Sequence, residues 1–165
     1  MDKKEEEELT CLRWSDRIYV SVRKSSLTFR PSAYALIRHL RHWLLMRTPQ
    51  GLYFFPGGVI DLGEPISYAV RRGVSEETGL AVEVGKVFTV EEILIQLDIP
   101  RRFSNFHCLL MFCEARLADA YGQILPDLSS PADKNEGYPV WLDERELTAE
   151  RLLPPADKVV RKLQS

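Results

Sequence analysis

Two adjacent carboxylates, Glu76 and Glu77, stand near the end of "RRGVSEETGL", residues 71–80, a stretch patterned like a helix. Positions three and four apart on a helix share a face, so residues 72, 73, 76 and 77 make one patch. Neighbouring carboxylates repel each other unless a cation lies between them. Hard divalent cations take carboxylate and carbonyl oxygens, and magnesium commonly bridges protein carboxylates to substrate phosphates. Just upstream, Gly57 and Gly58 have no side chain to keep a ligand from the main chain. These parts suit displacement at a diphosphate, in which a metal clamps the oxygens and a positioned water attacks. Where a third carboxylate would complete the cluster stands Gly73.

The elements around this patch follow from local pattern. Pro65 suits a helix start, where the missing amide hydrogen costs nothing. Ile66, Ala69, Val70 and Val74 recur at spacings of three and four, and Gly79 closes the helix. The preceding "TPQGLYFFPGGVIDLGEP" is dense in Gly and Pro and reads as a structured loop with a short strand, Tyr53 to Phe55. Ile18–Val22 and Leu27–Phe29 flank "RKSS" and read as a hairpin. Ser32–Ile37 and Trp43–Met46 read as two strands joined by "RHLRH". Further strands are expected at "LAVEV", Val87–Leu97 and Phe106–Leu117, the last apolar almost throughout, as in a strand buried on both faces. "PDLSSPADKNEGYP" is a long loop, "VWL" a short strand, and Asp143–Leu147 and Ala156–Leu163 two short helices.

With 165 residues the chain suits one domain with a sizeable core. Residues 1–12 form an acidic tail, expected to be solvated and mobile, and residues 13–165 a single domain. A net charge of −2, from 22 Lys+Arg and 24 Asp+Glu, exerts no global pull toward long nucleic acid or an anionic membrane. No apolar run approaches the roughly 20 residues needed to span a bilayer, and the start lacks the apolar core of a signal peptide. Cys11, Cys108 and Cys113 cannot all pair with one another and read as free buried thiols of a cytoplasmic protein.

"GVIDLGEPISYAVRRGVSEETGL", Gly58 to Leu80, resembles the signature of the Nudix hydrolases, G-x5-E-x7-R-E-U-x-E-E-x-G-U with U a bulky aliphatic residue. Gly58, Glu64, Arg72, Val74, Glu76, Glu77, Gly79 and Leu80 fall on eight of its nine defined positions. "YFFPGG" resembles the usual lead-in, and the similarity extends over most of the chain after residue 30. The resemblance implies an α/β Nudix fold, a mixed β-sheet sandwiched between α-helices. It also implies hydrolysis, with Mg2+ or Mn2+, of a small-molecule nucleoside diphosphate linked to another moiety. Glu76 and Glu77 match the metal-binding carboxylates, and the Gly57 or Gly58 carbonyl would supply a further ligand. Glu64 and Arg72 would stabilise the loop–helix–loop, with Arg72 holding a glutamate in place.

Gly73 departs from the family, which carries a glutamate there as a ligand or base. Nothing local favours glycine, which weakens a helix by about 1 kcal/mol relative to alanine. Glu136, in "NEGYP", is the candidate to supply the missing ligand or base, with Glu91 and Glu92 behind it. Arg101 and Arg102 are candidates to grip a terminal phosphate. Tyr53, Phe54 and Phe55 alternate across a strand, so at least one is core; Phe55 is the candidate to meet substrate. His39, His42 and His107 have no zinc-site spacing, and Trp141 reads as core packing. The N-terminal hairpin raises the expectation of a homodimer. Beside a working hydrolase stand two alternatives: a degenerate domain that binds a nucleotide or protein partner without turnover, and an enzyme inactivated by the substitution at 73.

Overall fold

The computed structural model describes residues 6–99, 102–129 and 137–165. Its elements, in order, are β1 (Glu8–Arg13), β2 (Tyr19–Arg23), β3 (Leu27–His39), β4 (His42–Arg47), β5 (Tyr53–Phe54), β6 (Gly57–Val59), α1 (Ile66–Thr78), β7 (Val82–Ile99), β8 (Arg102–Leu117), β9 (Tyr138–Asp143) and α2 (Ala156–Leu163). This is an α/β fold, a mixed sheet with two helices, as the sequence leads one to expect. The chain groups into two compact units, residues 1–31 with 92–109 and residues 32–91 with 110–165.

In the first unit β1 pairs antiparallel with β2, Cys11 opposite Val20, and parallel with β7, Leu12 opposite Ile95. Two expectations change here. Residues 8–12, expected in the acidic tail, belong instead to the strand Glu8–Arg13, with Cys11 and Leu12 buried; residues 1–5 lie outside the described residues. The segment "LTCL" supplies apolar side chains that a neighbouring strand can cover, which outweighs the acidic run before it. The hairpin of Ile18–Val22 with Leu27–Phe29 does not form. β2 takes β1 as its partner, and "RKSS" contributes a 3-10 turn, Lys24–Ser26, leading into β3.

The second unit positions the site. β6 pairs antiparallel with β3, Tyr34 opposite Gly57 and Ala33 opposite Gly58. β4 pairs with β5 and, in register from His42–Asp143 to Arg47–Tyr138, with β9. Ala33, Ala35 and Ile37 alternate on one face of β3 and meet Val70 and Val74 of α1, with Leu44, Leu80, Val82 and Cys113 in the same cluster. Trp141 packs against that cluster and donates its indole N–H to the Pro126 carbonyl at 2.9 Å. α1 buries Ala69, Val70, Gly73, Val74 and Thr78, while Ile66, expected in its apolar stripe, is exposed. Pro65 caps the helix in an extended conformation rather than lying within it, and Gly79 ends it with φ +76°. α2 forms where expected. The expected helix Asp143–Leu147 is a single 3-10 turn, Glu144–Glu146, because the Asp143 carboxylate captures the Arg145 amide and closes a tight turn.

Candidate active site

The lead-in loop and α1 are joined by one arginine. Arg72 Nε donates to Glu64 Oε1 at 2.7 Å and its Nη2 to Glu64 Oε2 at 2.9 Å, a two-pronged pair. The same Nη2 donates to the Val59 carbonyl at 2.9 Å, and Nη1 reaches Glu76 at 3.4 Å. Glu64 also accepts the Asp61 amide at 2.9 Å, which folds the turn before Pro65 back on itself. The guanidinium above all, and then that amide, hold the Glu64 carboxyl down at about 2, so it stays charged. Arg72 is pushed further up by the same partner. Glu64 and Arg72 thus engage each other, and what their geometry supports is positioning of the loop and helix.

Glu77 faces the glycine loop. The Gly57 amide donates to its Oε1 at 2.7 Å, so the carboxylate sits directly against β6. Glu76, its neighbour, is 64% exposed and lies at the Arg72 end of the patch. Gly73 lies buried beneath the same patch, and a Cβ there would stand 2.9 Å from the Gly57 Cα. Nothing local favours glycine at 73, but a neighbour on another element does: the main chain of β6 occupies the space a side chain would need.

For a divalent metal the available groups are the carboxylates of Glu76 and Glu77 and the carbonyls of Gly57 and Gly58. All are hard oxygen donors, the chemistry that magnesium and manganese accept. Among the described residues no group of three or more His, Cys, Asp or Glu converges on a point. The set fits a hard cation that draws its remaining ligands from water and substrate oxygens. Glu136 and Arg101 lie outside the described residues, as does the Arg102 side chain. Glu91 is turned to Thr89 at 3.2 Å and to Lys162, while Glu92 meets His107 at 2.9 Å within the first unit.

Phe55, expected to meet substrate, is instead 1% exposed and packs edge-on against Phe112 at 5.8 Å, in the core. Tyr53 is buried as well, which leaves Phe54 as the half-exposed member of the three. Phe54 meets Tyr34 edge-to-face at 4.9 Å, and Tyr34 stacks on Phe112 at 5.4 Å. Tyr34 lies directly opposite Gly57 in the sheet, so this aromatic pair adjoins the loop that Glu77 grips. Tyr34 was missed because β3 reads as an apolar run, in which the side chain facing the glycine loop is not marked.

The NUDIX domain family model matches residues 28–163. Among solved structures the chain is similar to the MutT protein from Methanosarcina mazei, at 20% identity over 84% of this chain and 94% of that one, with a TM-score of 0.58. A NUDIX hydrolase from Nitrosomonas europaea matches at 15% identity, covering 99% and 89%, with a TM-score of 0.61. An ADP-ribose pyrophosphatase from Streptococcus suis matches at 20% identity, covering 83% and 88%, with a TM-score of 0.50. No curated protein matches the chain. With the family model spanning most of the chain and the loop–helix geometry in place, the chain belongs to the NUDIX domain family, and its enzyme class is that of the Nudix pyrophosphohydrolases.

Proposed function

We propose that this chain hydrolyses the diphosphate linkage of a nucleoside diphosphate bearing another group, a nucleotide sugar or a nucleoside triphosphate, with Mg2+ or Mn2+. The observation that carries the reading is the seating of Glu77 against Gly57, which fixes one carboxylate beside the glycine loop that Arg72 ties to the same helix. Glu76, Glu77 and a carbonyl of Gly57 or Gly58 are the groups to hold the metal. When bound, such a metal polarises phosphoryl oxygens and makes a bound water more acidic. Magnesium keeps several waters and substrate phosphates in its shell, so two protein carboxylates suffice. Glu136 remains the candidate base, and Arg101 and Arg102 the candidates for a terminal phosphate.

Two observations support a nucleotide. The half-buried Tyr34–Phe54 pair adjoining Gly57 offers a π face for a planar base. The Streptococcus suis neighbour is an ADP-ribose pyrophosphatase, and a nucleotide sugar is the substrate class we place first. A small molecule also suits the near-zero net charge, −2, better than a long nucleic acid does. No described helix is long and apolar enough to cross a membrane. Three buried free thiols suit a reducing cytoplasm, and a homodimer is the assembly we propose, with solution mass as its check.

The test is metal-dependent product release across ADP-ribose, other nucleotide sugars and nucleoside triphosphates. The unchanged chain turns over at least one, and Glu136→Gln lowers that rate roughly 100- to 10,000-fold if Glu136 is the base. Phe54→Ala weakens substrate binding by about 1–3 kcal/mol, read as a raised KM with kcat retained. Binding of every nucleotide without release of product from any would end the hydrolase reading.

A further inference from the structure

We propose that Gly73 is a positioning residue: having no side chain, it admits the Gly57 main chain against α1, and that seating holds the Glu77 carboxylate in place. A Cβ at 73 would stand 2.9 Å from the Gly57 Cα, closer than Cβ atoms come in folded chains, and 3.0 Å from its carbonyl carbon, a tight contact. The obstacle is backbone, so rotating a side chain cannot clear it.

Nor can Gly57 retreat. On its other side a Cβ at 57 would stand 2.6 Å from the Tyr34 Cα and closer still to the Ala33 carbonyl oxygen, so β3 backs it directly. Its φ of +147° is open to glycine and strained for other residues. The segment is also tied down: Tyr34 and Ala33 pair with Gly57 and Gly58, and the Ala35 amide donates to the Pro56 carbonyl at 2.8 Å. Gly57 is therefore clamped between β3 and α1. Glu77 lies one helical turn after Gly73, on the same face, and takes the Gly57 amide at 2.7 Å. The close approach at 73 and the hydrogen bond at 77 are two contacts of a single seating.

The departure from the family pattern is then a working part of this site rather than a lesion. A glutamate at 73 would lift β6 from α1 and release Glu77, so restoring the family residue would not restore a family site. The inference rests on the proposed function only in taking Glu77 as a carboxylate that meets the metal.

Gly73→Ala and Gly73→Glu test it, with Ser75→Ala, exposed on the same helix, as the control. The readouts are hydrogen exchange of the Gly57 amide without metal, Mn2+ titration, and kcat and KM. The Gly57 amide is expected to be protected in the unchanged chain and to lose that protection in both Gly73 variants. Mn2+ affinity then falls about 10- to 100-fold, and kcat falls by more than KM moves. Ser75→Ala moves none of these. Should Gly73→Ala fail to fold, Glu77→Ala reads the same bond, and the Gly57 amide must lose protection there. An unprotected Gly57 amide in the unchanged chain overturns the inference. So does unaltered protection in the variant that is read, or a Gly73→Glu chain with higher kcat. If no substrate is turned over, the function reading falls, while hydrogen exchange and the Mn2+ titration still decide the role of Gly73.

Discussion

Arg72 shows how one side chain can join the two elements of a candidate site. Its guanidinium satisfies both Glu64 oxygens and the Val59 carbonyl, binding the loop that carries Gly57 and Gly58 to the helix that carries Glu76 and Glu77. Lysine has one point charge and no planar fork, so it cannot serve both oxygens and the carbonyl in this geometry. Arg72→Lys is therefore expected to cost about 10- to 100-fold in Mn2+ affinity or in rate, the usual cost of disturbing groups that orient metal ligands. Mn2+ titration beside kcat measurement checks this, and a variant with the affinity and rate of the unchanged chain would remove Arg72 from the site. At this scale the sequence could be read for residue type but not for direction. Alternation along "YFF" says that some of the aromatic rings are core, yet which ring turns outward depends on strand pairing. Phe55 went inward and Phe54 outward for that reason. The reason for Gly73 lies in Gly57, a through-space neighbour on another element, so no local propensity could reveal it.

At the scale of elements, α1 was readable because its signals are local: apolar spacing, Pro65 before it and Gly79 after it. Gly79 does more than stop the helix. Its amide closes the last helical bond to the Ser75 carbonyl at 2.9 Å and its φ of +76° turns the chain out of the helix, while the Ser129 amide, from the loop after β8, donates to the Thr78 carbonyl at 3.1 Å. A Cβ at 79 would meet the Ser129 hydroxyl as well as the left-handed backbone penalty. Gly79→Ala is expected to lower stability by roughly 1–2 kcal/mol, measured as a fall in denaturant midpoint at constant slope. An unchanged midpoint would mean that the helix end relaxes freely and does not anchor the site. The strand pairing was far less readable. Adjacent apolar runs invite a hairpin, but β2 found its partner in β1, whose acidic flank disguised a buried Cys11 and Leu12. Pairing depends on which faces are covered in the assembled sheet, and a window of a few residues does not contain that information.

Over the whole molecule the ion pairs set a stability window in pH. Arg72, then the Asp61 amide, hold Glu64 down from 4.5 to about 2. The Arg145 guanidinium and amide hold Asp143 well below the usual carboxylate range, and Arg38 lowers Glu144 in the same way. Each of these groups is more acidic folded than unfolded. Their contribution is thus present above the unfolded pKa and lost as pH falls through the folded one, which for Glu64 spans 4.5 down to about 2. The alkaline side runs the other way. Burial raises Cys11 and Cys113, and burial pushes Cys108 up from 9.0 to about 11. The unfolded chain ionises these thiols first, so stability is lost as pH rises from 9.0 toward about 11. The thermal midpoint should therefore form a plateau between about pH 5 and 8, falling on both sides. Arg72→Lys should flatten the acid limb specifically, because it releases Glu64 while leaving Asp143 and Glu144 with their own arginines. A thiol reagent should react slowly with the native chain at neutral pH, since all three cysteines are buried, and promptly once the chain is unfolded. If the midpoint held level from pH 6 to pH 3, the carboxylate pairs would be surface ornaments, and the Arg72–Glu64 clasp would have to act on the site without supporting the fold.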